Sequence, residues 1–406
     1  MHLPVSINEQ PVHERAPWTR DKAKVQRRLA RWRKKRWYDG NAERFGLSKA
    51  WFDDHEDQWE CTELLGKGSF GVVGLWTKFD KHGRAVDTIA IKQTDIDERE
   101  VDRDNNVTIP WEVLIMRGLA DQGCRNVAGI RKYKLFLGGS RARWRYYLEY
   151  HRHGTLDDLV ERYKDHNRRH PRHRDHIPEA FVWQAFHDFA LAAYHMSTIR
   201  FDKSVAPPGD DHFVLHLDLK HENVLLCEPP TSRNSLPYPT LKVGDWGMAE
   251  YTSRQDVNNS KRWKCYGTIC WFPPEQRKYG AYGSDWQYPI LGGPDHPFTI
   301  SHTIWQMAAN IYGMMQLDMD NQDLHTRMND WESAETSLRH NGYSVLRGWK
   351  NPHYTSSLRH LVEDCLNVDP TRRPTPVDLV RSTKKGVDAW VDEYRRKGKV
   401  EKLRLG

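Results

Sequence analysis

The feature that most constrains the fold is a change of pattern along the chain. From Trp59 to Gln93, short β-like runs (CTELLGKG, FGVVGLWTKF, TIAIKQ) alternate with glycine or charged turns, as an antiparallel sheet requires. Beyond His151 the chain turns mostly helical. Over 178–196, Phe181, Ala185, Phe189, Ala193 and Met196 recur at spacings of 4, 4, 4 and 3, so one face of a long helix is apolar and should be buried along that side. One helix interrupts the strands where WEVLIMRGL follows Pro110, a residue suited to a first turn. The expected class is α+β, strands first and helices second.

Among 406 residues, 38% are hydrophobic and 17 are Trp, enough to bury a substantial core in one large or two ordinary domains. The net charge of +7 is local: residues 14–36 hold 11 basic and 2 acidic residues, a sum of +9, which leaves −2 for the remainder. Six scattered cysteines form no CxxC pair, and the start MHLPVSINEQPVHER lacks the apolar region of a secretion signal. No run approaches the roughly 18 apolar residues of a transmembrane helix. These features imply a soluble intracellular protein, cytoplasmic and/or nuclear. Residues 1–58 read as a basic extension, and 162–176, 201–212 and 228–240 as surface loop insertions.

Three segments carry chemistry. In Gly66-Lys67-Gly68-Ser69-Phe70-Gly71, glycines at three places let a backbone fold over phosphates and present N–H donors, although the same spacing also fits a hairpin turn. A dinucleotide-binding unit would need a helix after the glycines, and a β-like run follows instead. Lys92 ends an apolar strand-like run, and Glu112 lies in the next helix, a carboxylate able to hold a buried ammonium charged; a surface lysine and a solvated glutamate are the plainer alternative. In His216-Leu217-Asp218-Leu219-Lys220-His221-Glu222-Asn223, a carboxylate, an ammonium and an amide stand at i, i+2 and i+5, suited to taking a hydroxyl proton, steadying phosphate charge and coordinating a cation. Twenty-two residues past Asn223, Asp245 offers a further oxygen ligand for a hard cation such as Mg2+.

In this order the series resembles the eukaryotic protein kinase family, serine/threonine type, over about Trp59 to Ser382. Phe272-Pro273-Pro274-Glu275 resembles the end of its activation segment, and Asp369-Pro370-Thr371-Arg372-Arg373-Pro374-Thr375 a later landmark that would pair Arg373 with Glu275. The resemblance implies a two-lobed fold: an antiparallel N-lobe with one helix (59–149), a hinge (150–154), a mainly helical C-lobe (155–392), and a tail (393–406). It implies ATP and Mg2+ as cofactors and transfer of the γ-phosphoryl group to Ser/Thr hydroxyls of protein substrates. Gly66, Gly68 and Gly71 would cover the phosphates. Lys92, held by Glu112, would contact the α and β phosphates, and Asp218 would orient and deprotonate the acceptor. Asn223 and Asp245 would bind metal. Val73, Ala90 and Leu225 would sandwich adenine, with Leu148 as gatekeeper and Glu149 to His151 supplying hinge hydrogen bonds. Lys220 and Thr268 match the serine/threonine form, with Thr268 bridging Asp218 and Lys220.

Departures are specific. Leu217 stands where the family has the arginine that receives an activation-segment phosphate. Thr303 stands where an aspartate ties the catalytic loop, so its hydroxyl is expected to serve with less strength, and Trp246 replaces a phenylalanine beside His216. Leu217 and Thr303 support a rival reading, a catalytically weak or inactive nucleotide-binding scaffold that recruits partners through its basic N-terminus. That run also fits an anionic partner, a nuclear address or a solvated helix. His166, His170, His173 and His176 have metal-like spacing but read as a solvated loop, and Cys265 and Cys270 as ordinary thiols.

Overall fold

The computed structural model describes residues 59–68, 71–101, 108–138, 141–201, 211–232, 235–256, 259, 263, 266–277, 297–333, 344–346 and 348–405. The basic run, Cys265 and most of 201–212 lie outside them. The chain divides into two compact units, one from 1–117 with 128–150 and the other from 118–127 with 151–406.

The first unit is a five-stranded antiparallel sheet of β1 (Trp59–Gly68), β2 (Gly71–Phe79), β3 (Ala85–Asp95), β4 (Ile130–Gly138) and β5 (Arg141–Glu149), in the order β1-β2-β3-β5-β4. Its helix, α1 (Trp111–Asp121), starts one residue after Pro110. Val113 of α1 packs into a core of Tyr133, Leu135, Trp144 and Tyr146. Glu100 holds the start of α1: it is buried and accepts the Trp111 N–H (2.8 Å), the Asp97 N–H (2.9 Å) and the Trp144 indole N–H (2.9 Å). Burial, partly offset by those donors, pushes its carboxyl up to about 7.

The second unit is built on α2 (Leu156–Arg169), α3 (Glu179–Thr198), α4 (Ile300–Gln316), α5 (Gln322–Ser333), α6 (Ser356–Cys365) and α7 (Pro376–Lys397). Two short antiparallel ladders accompany them: β6 (Phe213–Leu215) with β9 (Glu250–Thr252), and β7 (Val224–Leu226) with β8 (Leu241–Val243). The apolar stripe of α3 is buried as expected, but so are Val182, Gln184, Phe186 and Asp188 on its other sides. The helix is enclosed by α4, α7, β6 and β8 rather than covered along one side. Gly386 of α7 makes the close approach possible, because a Cβ there would lie 2.2 Å from the Trp183 ring.

Three expectations from the sequence are corrected. Residues 162–169 continue α2 and are not a loop. Thr155 and Asp158 form a reciprocal capping box, and Leu156, Leu159, Val160 and Tyr163 bury one face of the helix, so only the stretch past Arg169 leaves it. Nor is 228–240 simply a surface loop: Leu236 and Tyr238 are buried, and Gln184 Nε2 donates to the carbonyls of Tyr238 (3.2 Å) and Pro239 (2.8 Å). Finally, no break occurs at 392, since α7 runs on to Lys397 and ends on Gly398 in the left-handed region (φ 68°).

Candidate functional site

Within the first unit, the register decides which side chains share a face. Val73 of β2 lies opposite Lys92 of β3, and Ala90 opposite Leu148 of β5, so these four residues stand on one side of the sheet. Gly66, Gly68 and Gly71 belong to the β1–β2 hairpin, whose last pair is Gly68 with Gly71; Ser69 and Phe70 lie outside the described residues. A Cβ on Gly71 would sit 2.1 Å from the Gln93 carbonyl oxygen, so no other residue fits where β2 turns against β3. Lys92 Nζ donates to both carboxylate oxygens of Glu112, at 3.0 and 2.7 Å, and the two side chains are only 7% and 6% exposed. The plainer alternative of a surface lysine is thereby excluded. The Glu149 N–H is taken by the Gly129 carbonyl (3.0 Å).

Within the second unit, the segment after β6 carries Asp218, Lys220 and Asn223. Thr268 Oγ1 donates to Asp218 Oδ1 at 2.7 Å. Lys220 Nζ lies 3.9 Å from Asp218 Oδ2, and Asn223 Nδ2 donates to the Asp218 carbonyl at 2.8 Å and to Oδ2 at 3.4 Å. The β7–β8 ladder aligns Val224 with Val243, and the Gly244 N–H donates to the Asn223 carbonyl (2.8 Å), which brings Asp245 next to Asn223 through the backbone. Asp245 is left-handed (φ 54°), a conformation that a short polar side chain tolerates better than most. Asn223 offers a carbonyl oxygen and Asp245 a carboxylate, a hard-donor pair that fits Mg2+. Leu225 is half-buried on β7 and bridges to Thr155, whereas the His151 carbonyl already receives the Gly154 N–H (3.1 Å).

His216 holds the segment from behind. It is buried, and burial keeps its ring below the ordinary imidazole range. Nε2 donates to the Gly244 carbonyl (3.0 Å), and Nδ1 faces the Asp218 N–H at 3.4 Å. Trp246 tilts against the same ring at 4.7 Å between centroids.

The structure corrects the part expected of Thr303. Its hydroxyl is buried and, among the described residues, has no hydrogen-bond partner. The loop is tied instead by α4 residues further along: Gln306 Nε2 donates to the Leu217 carbonyl (3.3 Å) and Asn310 Nδ2 to that of Leu219 (3.2 Å). His221 Nε2 donates back to the Asn310 carbonyl (2.9 Å), and burial drives its ring down to about 4. Sequence reasoning missed these two residues. A signal existed, because His302, Gln306 and Asn310 recur every four residues in an otherwise apolar helix, a buried polar stripe that must find partners.

Arg373 grips Glu275 with two nitrogens at 2.6 and 2.8 Å, both side chains fully buried, and stacks over Trp305 at 4.9 Å. Burial alone would raise the Glu275 carboxyl, but the guanidinium outweighs it and holds the group below its usual range. The histidine series disperses. His166 and His170 stack on each other, while His176 stacks on His353. Among the described residues the grouping within coordinating reach of one ion is Asp175, His176 and Glu401, where Arg404 Nε already occupies Asp175 at 2.6 Å. Burial pushes the Cys270 thiol up, away from a reactive thiolate.

Against this geometry the comparisons are specific. The family model described as "Protein kinase domain" matches residues 59–383. The chain belongs to the protein kinase family. Relatives of this kinase domain include the serine/threonine-protein kinase Nek8 of Danio rerio, 23% identical over 78% of this chain and 35% of its own length. Another is the G2-specific protein kinase fin1 of Schizosaccharomyces pombe, 24% identical over 80% of this chain and 38% of its own. A putative serine/threonine-protein kinase, 040L, of Invertebrate iridescent virus 3 is 25% identical over 50% and 48% respectively. The chain therefore spans about a third to a half of the length of these relatives. Protein kinases use ATP and Mg2+. No helix among the described residues is long and apolar enough to cross a membrane.

Proposed function

We propose that this chain transfers the γ-phosphoryl group of ATP to Ser or Thr hydroxyls of protein substrates. The observation that carries this reading is the hydrogen bond from Thr268 to Asp218 Oδ1 (2.7 Å), which leaves Oδ2, flanked by Asn223 and Lys220, to accept an incoming hydroxyl proton. Asp218 orients the acceptor and takes its proton, and the Lys220 ammonium steadies charge on the phosphoryl oxygens. Lys92, aimed by Glu112, is assigned to the α and β phosphates; Val73, Ala90 and Leu225 are assigned to the adenine. Asn223 and Asp245 would hold Mg2+, which when bound neutralises phosphate charge. Little covalent chemistry is asked of the protein, and rigid positioning supplies most of the acceleration.

The same reading takes 59–149 as the N-lobe, 150–154 as the hinge and 155 onward as the C-lobe. It places the protein inside the cell, in cytoplasm or nucleus, in keeping with the five described cysteines standing outside any disulfide. It gives the +9 run at 14–36 an anionic partner. Incubation with labelled ATP and a mixed peptide library tests the reading. Phosphate on Ser or Thr is the expected result, and nucleotide binding without transfer would favour a scaffold instead.

A further inference from the structure

Leu217 occupies the position from which an arginine would reach an activation-segment phosphate, and the structure fills that space with apolar side chains. Leu217 is fully buried in a cluster with Phe213, Leu215, Phe298 and Trp263, and Met248 packs on its edge. Trp263 comes from the segment between Asp245 and Glu275, while Phe213 and Leu215 form β6 and Leu217 directly precedes Asp218.

Two further ties hold the same segment. Asn259 donates to the carbonyls of Ser253 (2.9 Å) and Phe298 (2.8 Å) and accepts the Phe298 N–H (2.7 Å). Gln276 Nε2, whose Oε1 meets His302 at 2.9 Å, donates to the carbonyls of Tyr266 (2.5 Å) and Trp263 (3.5 Å). The backbone closes the link to the catalytic carboxylate: a Cβ on Gly267 would lie 2.2 Å from the Leu217 carbonyl oxygen, and the next residue is Thr268, bonded to Asp218.

We propose that Trp263, clustered with Leu217, Phe213, Leu215 and Phe298, is a positioning residue that holds the described part of the segment between Asp245 and Glu275 without a phosphate, doing by apolar burial what a phosphate–arginine pair does elsewhere. A phosphate needs a charge partner at its receiving site, and a fully buried leucine supplies none. The apolar clasp needs no modification, so it holds as soon as the chain is folded. The Trp263 indole N–H has no partner among the described residues, so the clasp rests on shape and area, and phenylalanine, which keeps a ring but fills less volume, should retain part of it.

The proposal rests on the kinase reading, and the experiment separates the two. The full chain is treated with protein phosphatase, loss of phosphate is verified by mass spectrometry, and transfer to a peptide is measured together with the rate of limited proteolysis between 253 and 277. Activity within about 2-fold of the untreated protein is expected. Trp263→Ala should lower kcat roughly 10- to 100-fold with KM for ATP little changed and hasten cleavage of the segment, while Trp263→Phe, which keeps a ring, stays nearer the wild type than alanine in both. A phosphatase-induced loss of 10-fold or more, or cleavage unchanged in Trp263→Ala, overturns the clasp and leaves the kinase reading standing. A chain inactive in every state sinks the kinase reading instead, and the proteolysis comparison still decides the clasp.

Discussion

Thr268 and Asp218, fifty residues apart in sequence, are joined by a 2.7 Å hydrogen bond in which the hydroxyl donates to one carboxylate oxygen. A carboxylate held on one side can present the other in a single orientation. Thr268→Ala should therefore lower kcat on peptide roughly 10- to 100-fold with little change in KM for ATP, and Thr268→Ser should retain most activity. Steady-state kinetics of the two variants decide it; equal losses in both would show that the hydroxyl is not what matters.

The Lys92–Glu112 pair separates stability from activity. Removing one partner strands a buried charge, so Lys92→Met or Glu112→Leu alone should destabilise by roughly 3–5 kcal/mol, whereas the double variant should recover most of that. Peptide phosphorylation should stay lost in all three. Denaturant melts beside kinetics read both, and activity returning in the double variant would contradict the role assigned to Lys92.

The tie between α4 and the catalytic loop can be tested against Thr303. Thr303→Val removes a hydroxyl that has no partner, so stability should change by less than about 0.5 kcal/mol or rise. Asn310→Ala strands the Leu219 carbonyl, which should cost about 1–3 kcal/mol and slow turnover. The reverse ranking in urea unfolding would return the tethering role to Thr303.

What could be read from sequence, and what could not, follows a physical line. Lys92, Glu112, Asp218, Asn223 and Asp245 stood out as an ordered series rather than singly, because the resemblance to protein kinases implies a fixed residue type at each of these positions. Trp263 did not, because its role comes from what packs beside it, and Gln306 and Asn310 showed only as a polar stripe whose partners lie some ninety residues away in the chain. The α2 error was avoidable: Leu156, Leu159, Val160 and Tyr163 have helical spacing behind a Thr155–Asp158 box, but the basic, histidine-rich surface face masked it. Enclosure of α3 on nearly every side could not be inferred from its own periodicity, since Gln184 and Asp188 are buried through partners distant in sequence, the Pro239 carbonyl and the Leu241 N–H.

Acid should loosen the second unit through His302. Burial holds its ring down to about 4; Nε2 donates to Gln276 Oε1, and Nδ1 has no partner among the described residues. Because the folded value lies below the ordinary 6.5, the neutral ring's stability is present above pH 6.5 and lost as pH falls toward 4, on the order of 3 kcal/mol in all. His302→Gln keeps a donor and cannot titrate, so urea unfolding across pH 7.5 to 4 should show a shallower decline than wild type. Identical slopes would mean that His302 is not a source of the acid lability.

Asp218→Asn tests the central claim most directly, because it keeps the shape of the side chain and removes its capacity to take a proton. Turnover of a Ser/Thr peptide should fall at least about 10²-fold while ATP binding, measured by calorimetry on the same preparation, stays within about 2-fold of wild type. Turnover unchanged in that variant would contradict the account.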